Sequence, residues 1–214
     1  ATDGANTDTA QITIDILDSN TAPTASHDSG TLNENATLSR TAENGIVQNN
    51  DTDAQGDSLT ISQFQTGNAT NPSAVVGAFG IPLDGEYGQL TLQTNGSFDY
   101  VANRVAADEL AAGESVIDTI TYIISDGKLT DTAEIDFTIN GINDAPNLVD
   151  AIKTKKYTEG QSNVTVIDGS LSIRDIDDTN IESASVAITD AFQATEDTLA
   201  FTNNFGITGA WNQD

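Results

Sequence analysis

One stretch of this chain occurs twice, and that duplication limits the folds open to it. Residues 3–23 read DGANTDTAQITIDILDSNTAP and residues 126–146 read DGKLTDTAEIDFTINGINDAP, with eleven of twenty-one positions identical at an offset of 123 residues. An interval of that size is one ordinary domain, so the chain reads as a window on a tandem array. Each copy ends in an acidic segment closed by a proline: Asp18-Ser19-Asn20 before Pro23, and Asn143-Asp144 before Pro146. In such an array the junctions are where shared chemistry belongs.

The duplicated stretch starts as a strand. Residues 10–17 (AQITIDIL) alternate apolar and polar side chains, the period of a half-buried strand. Further strands fit residues 31–33, 36–39, 58–65, 89–93, 97–101, 118–124 and 132–140, and Thr94-Asn95-Gly96 supplies a hairpin turn. Only residues 106–112 look like a short helical turn. Many short strands without helical crossovers predict an all-β chain of antiparallel sandwiches. Residues 1–20 then supply the last strand and linker of a preceding repeat, and 21–146 one complete sandwich. Residues 147–214 begin a further unit, with strands near 164–167, 183–189 and 198–202. That unit has about half the repeat length, so either the chain stops short of its end or the missing strands come from elsewhere.

Charge then narrows the partners. Thirty-three acidic residues face seven basic ones, a formal net charge of −26. Nucleic acid and anionic membrane surfaces are poor partners for such a chain, and no apolar run approaches the roughly 20 residues a bilayer span needs. Cysteine is absent, which leaves neither disulfides nor thiolate metal sites; methionine is absent even at position 1, as in a processed or excised piece. Seven cations cannot pair so many acids, and metal ions are the remaining counter-charge.

Topology says where the metal would sit. In a seven-strand Greek-key sandwich the incoming linker meets, at one end, the loops after the second and sixth strands. Asp18 and Asn20 of the linker, Asp51, Asp53 and Asp57 of the first loop, and Asp126 of the second should therefore converge. At the other end Glu34 lies near the outgoing Asn143 and Asp144, which meet Asp175 and Asp177 of the next unit. That unit has its own early acid, Glu159. Seventeen residues separate Glu34 from Asp51, and sixteen separate Glu159 from Asp175. Carboxylates and amides mixed in this way suit calcium (Ca2+), which takes six to eight oxygens in flexible geometry.

The middle of the chain also resembles a known group. Asn50-Asp51-Thr52-Asp53 leading to Asp57-Ser58-Leu59-Thr60, Tyr87-Gly88-Gln89-Leu90-Thr91-Leu92, Asn95-Gly96-Ser97-Phe98-Asp99-Tyr100 and Ser125-Asp126-Gly127 resemble the bacterial VCBS or cadherin-like repeat. Residues 157–209 are similar to a second cadherin-like module. The resemblance implies tandem Ig-like or cadherin-like Greek-key sandwiches in a large secreted surface protein, such as an RTX-type adhesin. There the repeats act as calcium-stabilised spacers; the glycine-rich calcium nonapeptides of RTX tracts are absent here. Its partners would be neighbouring domains of the same chain, with any host-surface or biofilm-matrix ligand bound elsewhere in a monomeric, extracellular protein.

Plainer readings stand beside these. Asp126-Gly127 and Asp84-Gly85 could simply cap turns. Asp8 and Asp131 fit a solvated strand face or a strand start; Asp108, Glu109 and Glu114 could complete the outgoing site but fit a solvated loop better. His27, the sole histidine, lies in no nucleophile motif, so catalysis is not expected. Trp211 reads as core packing. Lys153, Lys155 and Lys156 read as a charged strand edge. The alternative function is a module that grips carbohydrate or protein, for which the 6% aromatic content offers little.

Overall fold

A computed structural model of the chain describes residues 4–5, 9–14, 19–71, 73–149, 172–181, 183–187, 193 and 209. Ten strands appear among them: β1 (Asp28–Asn33), β2 (Thr37–Arg40), β3 (Thr60–Thr66), β4 (Leu83–Asp84), β5 (Gln89–Leu92), β6 (Phe98–Val101), β7 (Ser115–Ser125), β8 (Thr130–Asn140), β9 (Asn147–Val149) and β10 (Ser172–Arg174). Two short helices, α1 (Ile46–Asn50) and α2 (Val105–Asp108), accompany them. The chain divides into two compact units, Ala1–Thr179 and Asn180–Asp214. In the second unit, residues 183–187, placed in a strand by their alternation, have no regular structure.

Two four-stranded sheets make the sandwich, in the orders β1-β8-β7-β3 and β2-β6-β5-β4. Their inward faces follow the alternation visible in the sequence. Ile120, Tyr122 and Ile124 of β7 and Ile135, Phe137 and Ile139 of β8 are buried; opposite them lie Leu90 and Leu92 of β5 and Phe98 and Tyr100 of β6. Tyr100 stacks on Phe137 at 4.0 Å between ring centroids, and Phe98 meets the same ring edge-on at 5.6 Å. Apolar side chains fully buried in this way are each worth roughly 1.5–3 kcal/mol.

One pairing departs from the antiparallel expectation. β1 runs parallel to β8, in register from Asp28 opposite Ile135 to Asn33 opposite Asn140. After β1, Asn35 adopts φ +60° and the chain crosses to the other sheet as β2. All other pairings between strands are antiparallel.

Residues 41–50, an unassigned gap between strands in the sequence, form a 3-10 turn (Ala42–Asn44) and α1. This segment packs on the β5–β6 hairpin, where Ile46 donates its N–H to the Gly96 carbonyl at 3.0 Å. A methyl group on Gly45 would lie 2.2 Å from that same oxygen, so only glycine fits there. Near the N-terminus, residues 10–14 join no strand, although the alternation predicts one. Their apolar face is unpaired: Ile12 is 84% and Ile14 79% exposed. Residues 15–17, and the strands expected at 164–167 and 198–202, lie outside the described residues. No helix among the described residues is long and apolar enough to cross a membrane.

Candidate metal centre

Glu34 is the buried acid on which the outgoing end is built. Because Asn33 closes the register with Asn140, the next N–H, that of Glu34, donates to the Asn140 carbonyl at 2.9 Å. The side chain then turns inward and is 2% exposed. Its Oε1 accepts the N–H of Ile142 at 2.6 Å, while Oε2 is buried without a partner. Burial pushes this carboxyl above its ordinary range, and the charges of Asp144, Asp108 and Asp177 push the same way, against the Ile142 hydrogen bond.

Those neighbours come from three further segments. Asp108 ends α2 and has a buried Oδ1 with no partner. Asp144 in the linker donates its backbone N–H to Asp177 Oδ2 at 3.2 Å. The pairing of β9 with β10 sets Arg174 opposite Asn147 and so delivers the loop that follows. In that loop Asp175, Asp177 and Asp178 each offer an oxygen within 4.8 Å of the others. Asp175 Oδ1 and Asp177 Oδ1 are again buried and unpartnered. The Asp175 carboxyl is raised by burial, then by Asp177 and Asp178.

At the incoming end the acids divide into two groups. Asp126 caps its turn: Oδ1 accepts the N–H groups of Lys128 and Leu129, each at 2.7 Å, and Oδ2 accepts Asn20 Nδ2 at 2.7 Å. These bonds, that of Leu129 foremost and then that of Asn20, hold its carboxyl below the ordinary range. Lys128 Nζ reaches Asn20 Oδ1 at 3.3 Å, a further bond between linker and turn.

Asp51 faces inward instead. Its Oδ1 accepts the Ser26 N–H at 2.8 Å and its Oδ2 is buried without a partner. Nearby, the single hydroxyl of Tyr122 lies 2.7 Å from the Ser26 carbonyl and 2.8 Å from Asp28 Oδ2. Burial, opposed by the Ser26 bond and reinforced by the charge of Asp28, pushes Asp51 up to about 6. Asp53 Oδ1 caps its loop through the N–H groups of Gln55 and Asp57, leaving Oδ2 buried and unpartnered; Asn50 Oδ1 is in the same condition. Asp57 is exposed.

The structure therefore brings Glu34, Asp144, Asp175 and Asp177 to one end. It places Asn20 against Asp126, and Asp51 beside Asp28. Asn143 is exposed, its amide donating to the Asp144 carbonyl. Asp18 and Glu159 lie outside the described residues. Asp108, which the sequence favours as a solvated-loop residue over a member of the outgoing site, lies among the acids around Glu34; one acid at the end of a four-residue helix carries no spacing signal. Asp28, buried against Tyr122, had no signal either.

Both linkers follow one plan. Thr21 donates its N–H to the Gln55 side chain at 3.2 Å, and Asp144, 123 residues later, donates to Asp177 at the same distance. Thr24 then bridges to Thr52, as Asn147 pairs with Arg174.

The described residues form a β-sandwich whose linkers meet acidic loops at both ends. The chain belongs to the bacterial cadherin-like domain family, whose match spans residues 20–141. It is 31% identical over 179 residues, 80% of its length, to halomucin of Haloquadratum walsbyi (strain DSM 16790 / HBSQ001), of which it spans 2%. Among solved structures it is similar to an endo-fucoidan hydrolase from glycoside hydrolase family 107 (TM-score 0.30, 19% identity, 56% of this chain and 14% of that one). It is also similar to the four N-terminal Ig domains of Dscam1 isoform 6.9 (TM-score 0.35, 7% identity, 62% of this chain and 28% of that one). Scores this low carry no argument about function.

Proposed function

We propose that this chain is a non-catalytic spacer of a large bacterial cell-surface adhesin, stiffened by calcium at its domain junctions. One observation carries the reading. Among the described residues, every buried side-chain polar atom without a partner is an oxygen that can only accept: Glu34 Oε2, Asn50 Oδ1, Asp51 Oδ2, Asp53 Oδ2, Asp108 Oδ1, Asp175 Oδ1 and Asp177 Oδ1. An orphaned buried acceptor costs about 1–3 kcal/mol, so seven of them at two ends of one sandwich call for a shared donor. Hard oxygen ligands from carboxylates and an amide, with no nitrogen or sulfur among them, fit calcium; its tolerance of irregular geometry suits ligands drawn from several segments.

Glu34, Asp108, Asp144, Asp175 and Asp177 would hold the ion at the outgoing end. Its charge would offset their mutual repulsion and fix the linker against both flanking domains. Asn50, Asp51 and Asp53 would form the receiving half at the incoming end. Ion binding and alignment become one event, because the ligands come from different parts of the chain. The resemblance to VCBS repeats and RTX-type adhesins, together with the likeness to part of halomucin, supports a long extracellular array whose partners are its own neighbouring domains.

Calorimetric titration with calcium and magnesium, paired with small-angle scattering in calcium and after chelation, tests this. Calcium should bind with selectivity over magnesium, and the particle should lengthen and stiffen. Identical scattering curves with and without chelator would sink the spacer mechanism.

A further inference from the structure

The two sheets part along the margin formed by β1 and β2, and a cavity of about 540 Å³ opens between them. Beneath it lies the core, with Ile46, Phe98 and Ile135 almost wholly covered at 1%, 7% and 1% exposure. Its walls are polar. Asp28, only 7% exposed, brings a carboxylate from β1, and Arg40 brings a guanidinium from β2. Asn44 and Asn49 add amides from the segment that carries α1. That wall is held in place by the close approach of Gly45 to Gly96, which leaves no room for it to collapse inward.

We propose that this cleft binds a pyranose unit of a saccharide. Vicinal sugar hydroxyls each donate and accept, and they meet planar groups of both kinds here: a carboxylate that accepts, a guanidinium that donates, and amides that do both. Arg40 Nη1 donates to the Ser39 carbonyl at 3.0 Å, which fixes the plane of the fork and leaves further N–H groups for a ligand. The volume lies within the range of small-molecule sites.

Other occupants fit less well. A metal ion would find one carboxylate in this cavity. A phosphate or nucleic acid would meet one cation on a chain of net charge −26. A lipid tail would meet polar walls. The cleft binds rather than hydrolyses, since glycosidic cleavage uses a pair of carboxyl groups. It shares no residue with the Glu34 centre, and its Asp28 lies beside Asp51 of the incoming junction.

The test is a backbone-amide NMR titration of the full chain in calcium with glucose, galactose, N-acetylglucosamine and glucuronate, and glycerol as control. At least one sugar should give saturable shifts at Arg40, Asn44 and Asn49 that glycerol does not. Arg40→Gln and Asn44→Ala, both at exposed positions, should keep the spectrum of the fold and weaken binding, the first about tenfold or more through loss of a charged hydrogen bond and the second about fivefold through loss of a neutral one. No saturable shift from any of the four sugars overturns the proposal. So do shifts shared with glycerol, which mark an adventitious additive only, and unchanged affinity in both variants.

Discussion

Replacing Glu34 by glutamine should act in opposite directions with and without calcium. The glutamine keeps an Oε1 for the Ile142 N–H, 2.6 Å away in the native chain, so the backbone clasp survives. In chelator, the substitution removes a carboxylate that is 2% exposed and faces Asp108, Asp144 and Asp177. It also offers an amide donor to oxygens that have none. A charge-assisted bond is worth about 1.5–3 kcal/mol, and unrefined geometry reduces this to roughly 1 kcal/mol of stabilisation. In calcium the same change deletes a ligand. A loss of 10- to 100-fold in affinity corresponds to about 1.4–2.7 kcal/mol at saturation. The gap between melting curves in calcium and in chelator should therefore narrow by about that much, several degrees for a domain of this size. Circular dichroism melts of both proteins in both buffers measure it. Equal destabilisation in both buffers would refute the reasoning, because Glu34 would then be only a structural hydrogen-bond acceptor.

Three further outcomes follow from the same contacts. Asp51, pushed to about 6 in the folded chain from 3.8, destabilises the metal-free protein as pH rises through that window, so chelated protein should gain on the order of 1–3 kcal/mol between pH 7.5 and 4. Asp51→Asn should flatten the urea-midpoint profile over that range. Tyr122→Phe leaves the Ser26 carbonyl and Asp28 without their shared donor and should cost about 1–3 kcal/mol by urea denaturation, at unchanged m-value. Gly45→Ala should cost about 2 kcal/mol or more, since the Gly96 carbonyl it strikes belongs to rigid backbone; a loss under half of that would show that α1 slides freely over the hairpin.

The inner strands were legible because period-two alternation and the Asn95-Gly96 turn act within a few residues of each other. β5, β6, β7 and β8 lie within two or three residues of where alternation puts them. The parallel course of β1 was not legible, because strand direction depends on a partner, β8, far along the chain. Segment 41–50 was missed since helices of three and five residues carry too few positions for a 3.6-residue period. Glu34, Asp144, Asp175 and Asp177 lie together at the outgoing end because strand order carries their segments there. Asp126, read both as a ligand at the incoming junction and as a turn cap, accepts the N–H groups of Lys128 and Leu129 in a turn that passes through Gly127 at φ +92°. Asp108 reaches its place only through the packing of α2, which no local pattern announces.

The parallel pairing of β1 with β8 also decides how this module would answer tension. The chain comes in at the start of β1 and goes out at the end of β8, at opposite ends of one six-residue register. Pulling on the two linkers drags these strands past each other along their length. The bonds between them then bear load side by side and must give way together, whereas a hairpin pulled from its open end would release them one after another. Glu34 and the Asn140 carbonyl sit at the last rung of that ladder, so whatever closes the outgoing junction also pins the line along which the domain would shear.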